Sequence, residues 1–427
     1  MSDQLKSQSK TVAVSTLDES LQQVITEHRL SADPAAGITV PAVASPEVLL
    51  GKKLFFSADF SADQKTSCAT CHNPLSGGGD NLPVPESPFS AYPAFHLPVH
   101  LRSGQKRDGQ SAIYADSAAG TEPARRRNTA STFNVALWKE HLFSDGRITR
   151  LENGQVTTPD VPYPDPDPAA GSELVQAAAH LSELPEEKSA QWLGQFREVF
   201  NAPDGLEKTL ITGPNVSRLL SAYLRSQLFV NNGWRAYVSG DTEAISDKAK
   251  RGALLFYQGR DQGGFACASC HKGDFFTDEN FYHVLIPPVD LSRPAQSSLS
   301  QSLADDGRCG VTGKMDDKYR FRTPGLLNVE VTGPWGHNGA YTTLASVVRH
   351  MLDPFGEALR YDRRQILQNN MQPQLLQANL SDMLEYNVDV PGSAYTEKDV
   401  QELVAFLLTL TDPCVKSEQC LAPWLPE

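Results

Sequence analysis

The stretch SCATCHNPLSGGGDNLP, Ser67 to Pro83, places two thiols three positions apart with an imidazole directly after the second. Cys68 and Cys71 in that spacing can add to the two vinyl groups of one porphyrin while His72 reaches its iron, so the run reads as a covalent haem attachment site. The same arrangement returns in FACASCHKGDFF, Phe265 to Phe276, as Cys267, Cys270 and His271. With 7 Cys and 10 His in 427 residues, chance supplies one such run only about 0.003 times per chain. Two occurrences are therefore a signal. Zinc is disfavoured because structural zinc modules keep their cysteine pairs within about 20 residues of each other, whereas these pairs lie in opposite halves of the chain. A disulfide within each pair leaves both histidines unexplained.

Around each motif the local plan repeats. SPEVLLGKKLFF opens with Ser45 as a helix cap and Pro46 in the first helical position, and SDKAKRGALLFY opens with Ser246 as cap. Each predicts a short helix, a Gly/Asp loop and then the haem motif. The chain thus reads as mostly α-helical, with two cytochrome c-like haem domains and long loops. The expected division is an N-terminal extension at 1–40, a first haem domain at 41–240 and a second at 241–427. Between the motifs, GPNVSRLLSAYLRSQLF puts Val216, Leu219, Leu220, Tyr223, Leu224 and Leu228 on one helical face. TEKDVQELVAFLLTL predicts a helix capped by Thr396 with Val400, Leu403, Val404 and Leu407 inward. The proline-rich TTPDVPYPDPDPAAG, residues 157–171, cannot be helix or central strand.

A net charge of −13 disfavours nucleic acid and anionic membrane surfaces as partners, since both require basic protein surface. No apolar run reaches the roughly 18 residues of a membrane span. The first ten residues read as a linker. Because haem is attached to such motifs outside the cytoplasm, a periplasmic protein is expected, with a signal peptide or anchor trimmed from the chain. Of the three cysteines outside the motifs, Cys414 and Cys420 suit a short-loop disulfide in an oxidising compartment, and Cys309 is expected as a free thiol.

Four further segments carry a family resemblance: SGGGDNLP after the first motif, RRRNTASTFNVAL (Arg125–Leu137), FSDGRITRLENGQ (Phe143–Gln155) and FRTPGLLNVEVTGPWGHNGAYTTLASVVRHM (Phe321–Met351). Together they resemble the bacterial di-haem cytochrome c peroxidase and MauG family, in the same order from about Pro46 to Leu410. The resemblance implies an oxidoreductase with two covalently bound haem c groups: one where hydrogen peroxide reacts, at His72, and one that relays electrons, at His271. It implies Met351 as the second axial ligand of the relay haem, where MauG-like members have tyrosine; its neighbour His350 points about 100° away on a helix. It implies calcium between the domains, bound by the backbone at Thr332 and Pro334 and by Asn128, oxygen donors suited to a hard cation.

It also implies a glutamate for proton transfer to peroxide. The best match is Glu173, with Gln155 as the accompanying glutamine one position out of register. Where many members have an inter-haem tryptophan before DGR, this chain has Ser144, leaving Phe143, Trp138 and Trp335 as candidates. His96 and His100, in an insertion after DNLP, are candidates to close the resting peroxidatic haem; the alternative is an open site. Expected partners are hydrogen peroxide and a small redox protein such as a cytochrome c or a cupredoxin, or a protein substrate, with a homodimer left open. Two rival functions are a MauG-like oxidase acting on Trp or Tyr of a partner protein and a non-catalytic di-haem electron carrier or redox sensor.

Overall fold

Two structurally parallel helix crossings organise the molecule, in a computed structural model that describes residues 15–60, 67–82, 127–157, 175, 186–290, 305–366, 374–375, 377–386 and 388–426. In chain order the longer helices are α1 (Ser15–Glu27), α2 (Pro46–Phe56), α3 (Glu186–Val199), α4 (Gly213–Ser226), α5 (Asp247–Tyr257), α6 (Leu344–Leu352), α7 (Gln377–Glu385) and α8 (Glu397–Leu408). The expected caps form. Ser45 Oγ accepts from Val48 N with Pro46 in the first turn, Ser246 Oγ accepts from Ala249 N, and Thr396 and Asp399 make a reciprocal capping box.

α2 crosses α4, and α5 crosses α8. Each crossing is made at the glycine six residues after the cap. A methyl on Gly51 would collide with the Leu219 carbonyl, and one on Gly252 with the Glu402 carbonyl, so only glycine admits this backbone approach. One apolar core gathers Val48, Leu54, Phe55, Leu219, Leu220 and Tyr223 with Trp192 and Phe196 of α3. The other gathers Phe256, Val400, Leu403 and Phe406 with Val348 and Leu352 of α6. α1 packs into this second core through Leu21, Val24 and Ile25. Its Asp18 accepts from Lys250 Nζ at 2.8 Å and Tyr237 Oη at 2.7 Å.

The described strands are two or three residues long: an antiparallel β1 (His141–Leu142), β2 (Ile148–Arg150) and β3 (Val156–Thr157), with His141 opposite Thr149 and Arg150 opposite Val156. β4 (Phe281–His283) pairs with β6 (Arg320–Arg322), and β5 (Val289–Asp290) with β7 (Gln374–Leu375), both antiparallel. The protein is mostly helical, as its sequence predicts.

Three links join the halves. Arg127, buried, donates to Asp145 at 2.5 Å and by two nitrogens to Asp305 at 2.6 and 2.7 Å. Glu279 accepts from the consecutive amides of Lys139, Glu140 and His141 at 2.9, 3.0 and 2.9 Å. The C-terminal strap lies on the first half: Tyr223 Oη donates to the Trp424 carbonyl and Lys52 Nζ to that of Pro423. That strap contains the expected Cys414–Cys420 disulfide, and Cys309 is a free thiol. Among the described residues no helix is long and apolar enough to cross a membrane.

Candidate haem-binding sites

Cys68–Cys71 forms a single helical turn, fixed at its start by Ser67 N donating to Thr70 Oγ1 at 3.1 Å. His72 follows, its amide bonded to the Cys68 carbonyl at 2.9 Å. Its Nδ1 lies 3.0 Å from the carbonyl of Ala130 and 3.4 Å from that of Gly78. A carbonyl can only accept, so Nδ1 carries the hydrogen and Nε2 keeps its lone pair. Burial holds this imidazole below its ordinary pKa against the two hydrogen bonds. The ring is therefore neutral near pH 7, the form that ligates a metal.

The second site repeats the first. Cys267–Ser269 forms a 3₁₀ turn, and His271 Nδ1 lies 2.9 Å from the carbonyl of Phe276 and 3.1 Å from that of Pro324. Burial lowers its pKa as well. At each site one acceptor lies in the loop just after the motif and the other arrives from a distant segment. Burial pushes Cys68 up to about 11 and both Cys71 and Cys267 up to about 12, and it raises Cys270 too. All four are unpaired thiols, the species that adds to a vinyl group. Among the described residues no three His, Cys, Asp or Glu side chains converge as metal ligands would, so the two pairs build no shared zinc site. Two protonated thiols, and a histidine whose iron-facing nitrogen is free, are a donor set that fits covalently bound haem at each position.

The distant acceptors expose a second internal repeat that the motif search missed. Ala130 stands in Thr129-Ala-Ser-Thr-Phe-Asn134-Val135, and Pro324 in Thr323-Pro-Gly-Leu-Leu-Asn328-Val329. The shared signal is Thr, Ala or Pro, three residues, Asn, Val. Asn134 and Asn328 both take left-handed backbone, both are buried, and both donate Nδ2 to one carbonyl, that of Phe229, at 3.1 and 2.9 Å. Asn134 N bonds the Gln227 carbonyl at the end of α4, and Asn328 N the Leu410 carbonyl just past α8. The helices of both crossings thereby fix the segments that hold the two histidines.

His350 is fully buried, and both of its nitrogens are engaged: Nδ1 with Tyr341 Oη at 2.8 Å and Nε2 with the Val284 carbonyl at 2.6 Å. The Val284 carbonyl requires a hydrogen on Nε2, so Nδ1 accepts from the tyrosine. Burial lowers its pKa to about 4. Met351 is half-buried on the same helix, whereas Met383 is the methionine that fills a core.

Asn128 donates Nδ2 to the Pro334 carbonyl at 2.5 Å, and its amide donates to the His337 carbonyl at 2.9 Å. Thr332 follows the Val329–Val331 turn, two residues before Pro334. The structure thus brings Asn128 to Pro334. Gln155 is exposed beside Asn153 at the end of the turn between β2 and β3 and has no described contact with His72. Glu173, His96 and His100 lie outside the described residues.

Residues 45–243 match the family described as di-haem cytochrome c peroxidase. The chain is 26% identical over 350 residues to methylamine utilization protein MauG of Methylophilus methylotrophus, covering 81% of this chain and 82% of that one. It is 27% identical over 306 residues to cytochrome c peroxidase Ccp of Escherichia coli K12, covering 72% and 53%, and 26% identical over 302 residues to cytochrome c551 peroxidase of Pseudomonas aeruginosa, covering 71% and 70%. Its fold is similar to that of the diheme peroxidase BthA of Burkholderia thailandensis, with a TM-score of 0.55 and 23% identity over 89% of each chain. A MauG-like protein associated with microbial copper homeostasis gives a TM-score of 0.54 and 19% identity over 90% of this chain and 96% of that one.

Proposed function

We propose, from the chain's likeness to di-haem cytochrome c peroxidases and MauG, a division of labour in which peroxide is reduced at the His72 haem with electrons relayed through the His271 haem. The protein is an oxidoreductase of the di-haem peroxidase type with two haem c groups. Bound at the two motifs, these groups supply peroxide reduction and one-electron storage. The chain's own residues hold and tune them.

The observation that carries this reading is the duplicated histidine geometry: in both sites Nδ1 is spent on two carbonyls, fixing ring and tautomer so that Nε2 keeps its lone pair and would be the nitrogen to hold iron. Peroxide reduction consumes two electrons and two protons per two waters. Glu173, accompanied by Gln155, is the group we assign to move the protons, because a carboxylate can accept one and return it to the leaving oxygen. Met351 is the residue we assign to hold the second haem through its thioether, a choice supported by His350 being occupied on both nitrogens. Asn128, Thr332 and Pro334 would hold calcium, an oxygen-rich set of which Asn128 and Pro334 already meet. The haem domains would span 41–240 and 241–427, after an extension at 1–40. Electrons would come from a cytochrome c or a cupredoxin, in the periplasm.

A second reading, oxidation of a partner protein, draws on the likeness to MauG over four-fifths of the chain. Met351, standing where MauG-like enzymes carry tyrosine, favours peroxide reduction. The test is peroxide consumption by the half-reduced holoenzyme, with intact mass establishing two covalent haems. Glu173→Gln should slow the peroxide step by about 10²- to 10⁴-fold with both haem spectra retained. An unchanged rate removes Glu173 from the role, and a bare polypeptide mass removes the haem assignment.

A further inference from the structure

The C-terminal strap, 411–426, follows α8 of the second half and lies on the first half. Near its start the chain makes two short helical turns, Pro413–Lys416 and Glu418–Leu421. Helices of this length do not persist alone, because nucleation costs more than so few hydrogen bonds return. The Cys414–Cys420 bridge closes the loop that contains them.

What lies beneath the bridge is the support of His72. Val415, Leu421 and Trp424 pack there on Leu75, Phe133 and Phe229. Leu75 stands three residues before Gly78 and Phe133 three after Ala130, the residues whose carbonyls hold His72 Nδ1. These two segments are stitched together, Ser131 Oγ donating to the Gly77 carbonyl at 2.6 Å and Thr132 N to that of Gly78 at 3.0 Å, so they move as a unit. Phe229, whose carbonyl receives both Asn134 and Asn328, places its ring centroid 4.7 Å from that of Phe133 and 4.9 Å from that of Trp424. The strap and the His72 support therefore seat together.

Two features make that seating depend on the bridge. The strap's link to the second half, Lys416 Nζ with both oxygens of Glu330 at 2.7 Å, is half-exposed and contributes little in water. Beside it a cleft of about 450 Å³, lined in part by Leu75, Gly77, Val331, Pro334, Val415 and Lys416, leaves the strap room to shift. Cys420 is exposed whereas Cys414 is half-buried, so an incoming thiolate reaches the Cys420 sulfur first and Cys414 leaves. A monothiol stops at this mixed disulfide, which the nearby Cys414 can reverse. A dithiol resolves it with its own second sulfur.

We propose that Cys414–Cys420 is a thiol-exchange switch: a dithiol reductant opens it, the strap loosens, and His72 loses the packing that fixes its orientation. The disulfide takes up two electrons and two protons to give two thiols, and the dithiol is oxidised to a disulfide. The consequence for the haem rests on the reading of His72 given above.

The experiment uses the holoenzyme with Cys309 first blocked by iodoacetamide, then treated with dithiothreitol, alkylated again and reoxidised with ferricyanide. The second alkylation should reach Cys414 and Cys420 without denaturant. In this opened protein, amide exchange at 132–134 should accelerate by about 10- to 100-fold, the change expected on opening a loop of this length, while the amides of α5 and α8 exchange as before. Electron paramagnetic resonance should show the His72 haem signal broadened more than that of the His271 haem; a bridge that only stabilises would lower the melting temperature and leave both signals alone. Trp424→Ala should reproduce the faster exchange and the broadening with the bridge intact. A bridge that resists dithiothreitol until the protein is denatured overturns the proposal, as does exchange at 132–134 or a His72 signal that is the same in the opened and closed proteins. A bridge-dependent signal without peroxide turnover would remove the peroxidase reading and keep the switch. Turnover with exchange indifferent to the bridge would do the reverse.

Discussion

Replacing Glu279 by alanine should release the segment after Trp138 from the second half. The carboxylate is buried and accepts three consecutive backbone amides, at 2.9, 3.0 and 2.9 Å. A hydrogen bond to a charged group contributes about 1.5–3 kcal/mol when both partners are desolvated, which would suggest a large sum. Lys139 and Glu140 are exposed, however, and His141 is half-buried, so water would take over most of these amides once the carboxylate is gone. That leaves a net cost of about 2–3 kcal/mol, the size of one such bond rather than the sum of three.

Native-state hydrogen exchange reads this locally, because opening of one segment need not unfold either core. Exchange of the amides at 139–141 should accelerate by about 30- to 150-fold in Glu279→Ala, at 1.4 kcal/mol per tenfold. The amides of α2 and α8 should exchange as before. Glu279→Gln keeps one acceptor oxygen but turns an NH₂ group toward three donors, so its effect should fall between wild type and alanine. If exchange at 139–141 changes by less than about twofold in Glu279→Ala, the carboxylate is not the clamp and the cost argued from its three bonds is wrong.

Two further outcomes are expected. Met351→Ala should lower the midpoint potential of the His271 haem and abolish any sulfur-to-iron charge-transfer band, whereas His350→Ala should leave that band and cost about 2–4 kcal/mol of stability by stranding the Tyr341 hydroxyl and the Val284 carbonyl; the reverse pattern in redox titrations would reassign the ligand. At Asp18, burial acts to raise the pKa but the hydrogen bonds from Lys250 and Tyr237 outweigh it, holding the carboxyl below the ordinary 3.8. Its stabilisation is therefore present above that pH and lost as pH falls through the depressed value, so protection of α1 amides in wild type should decline only in acid; Asp18→Asn should weaken it at pH 7 by about 1–2 kcal/mol, and equal protection of α1 in the two proteins at pH 7 would refute the pairing.

Chemistry confined to neighbouring residues could be read from the chain alone. Cys68, Cys71 and His72 lie within five positions, as do Cys267, Cys270 and His271, and covalent attachment depends on that spacing. The caps Ser45, Ser246 and Thr396 act within three residues, and Cys414 pairs with Cys420 only six positions away. What orients the histidines could not be read in this way. Their Nδ1 partners include carbonyls 58 and 53 residues distant, and a backbone carbonyl leaves no mark on residue type; only the repeated Thr, Asn and Val around Ala130 and Pro324 hinted at it. Helical periodicity separated His350 from Met351 by an angle without saying which side faced protein, and the hydroxyl of Tyr341 with the carbonyl of Val284 decided that. Glu279 and Arg322 stand far from Trp138 in the sequence and look like an ordinary acidic and an ordinary basic residue, and Trp138 is only one of three aromatic candidates there. Only the packing of one half against the other made them a carboxylate on three amides and a cation on an indole, because burial removes the water that would otherwise have satisfied each of them separately.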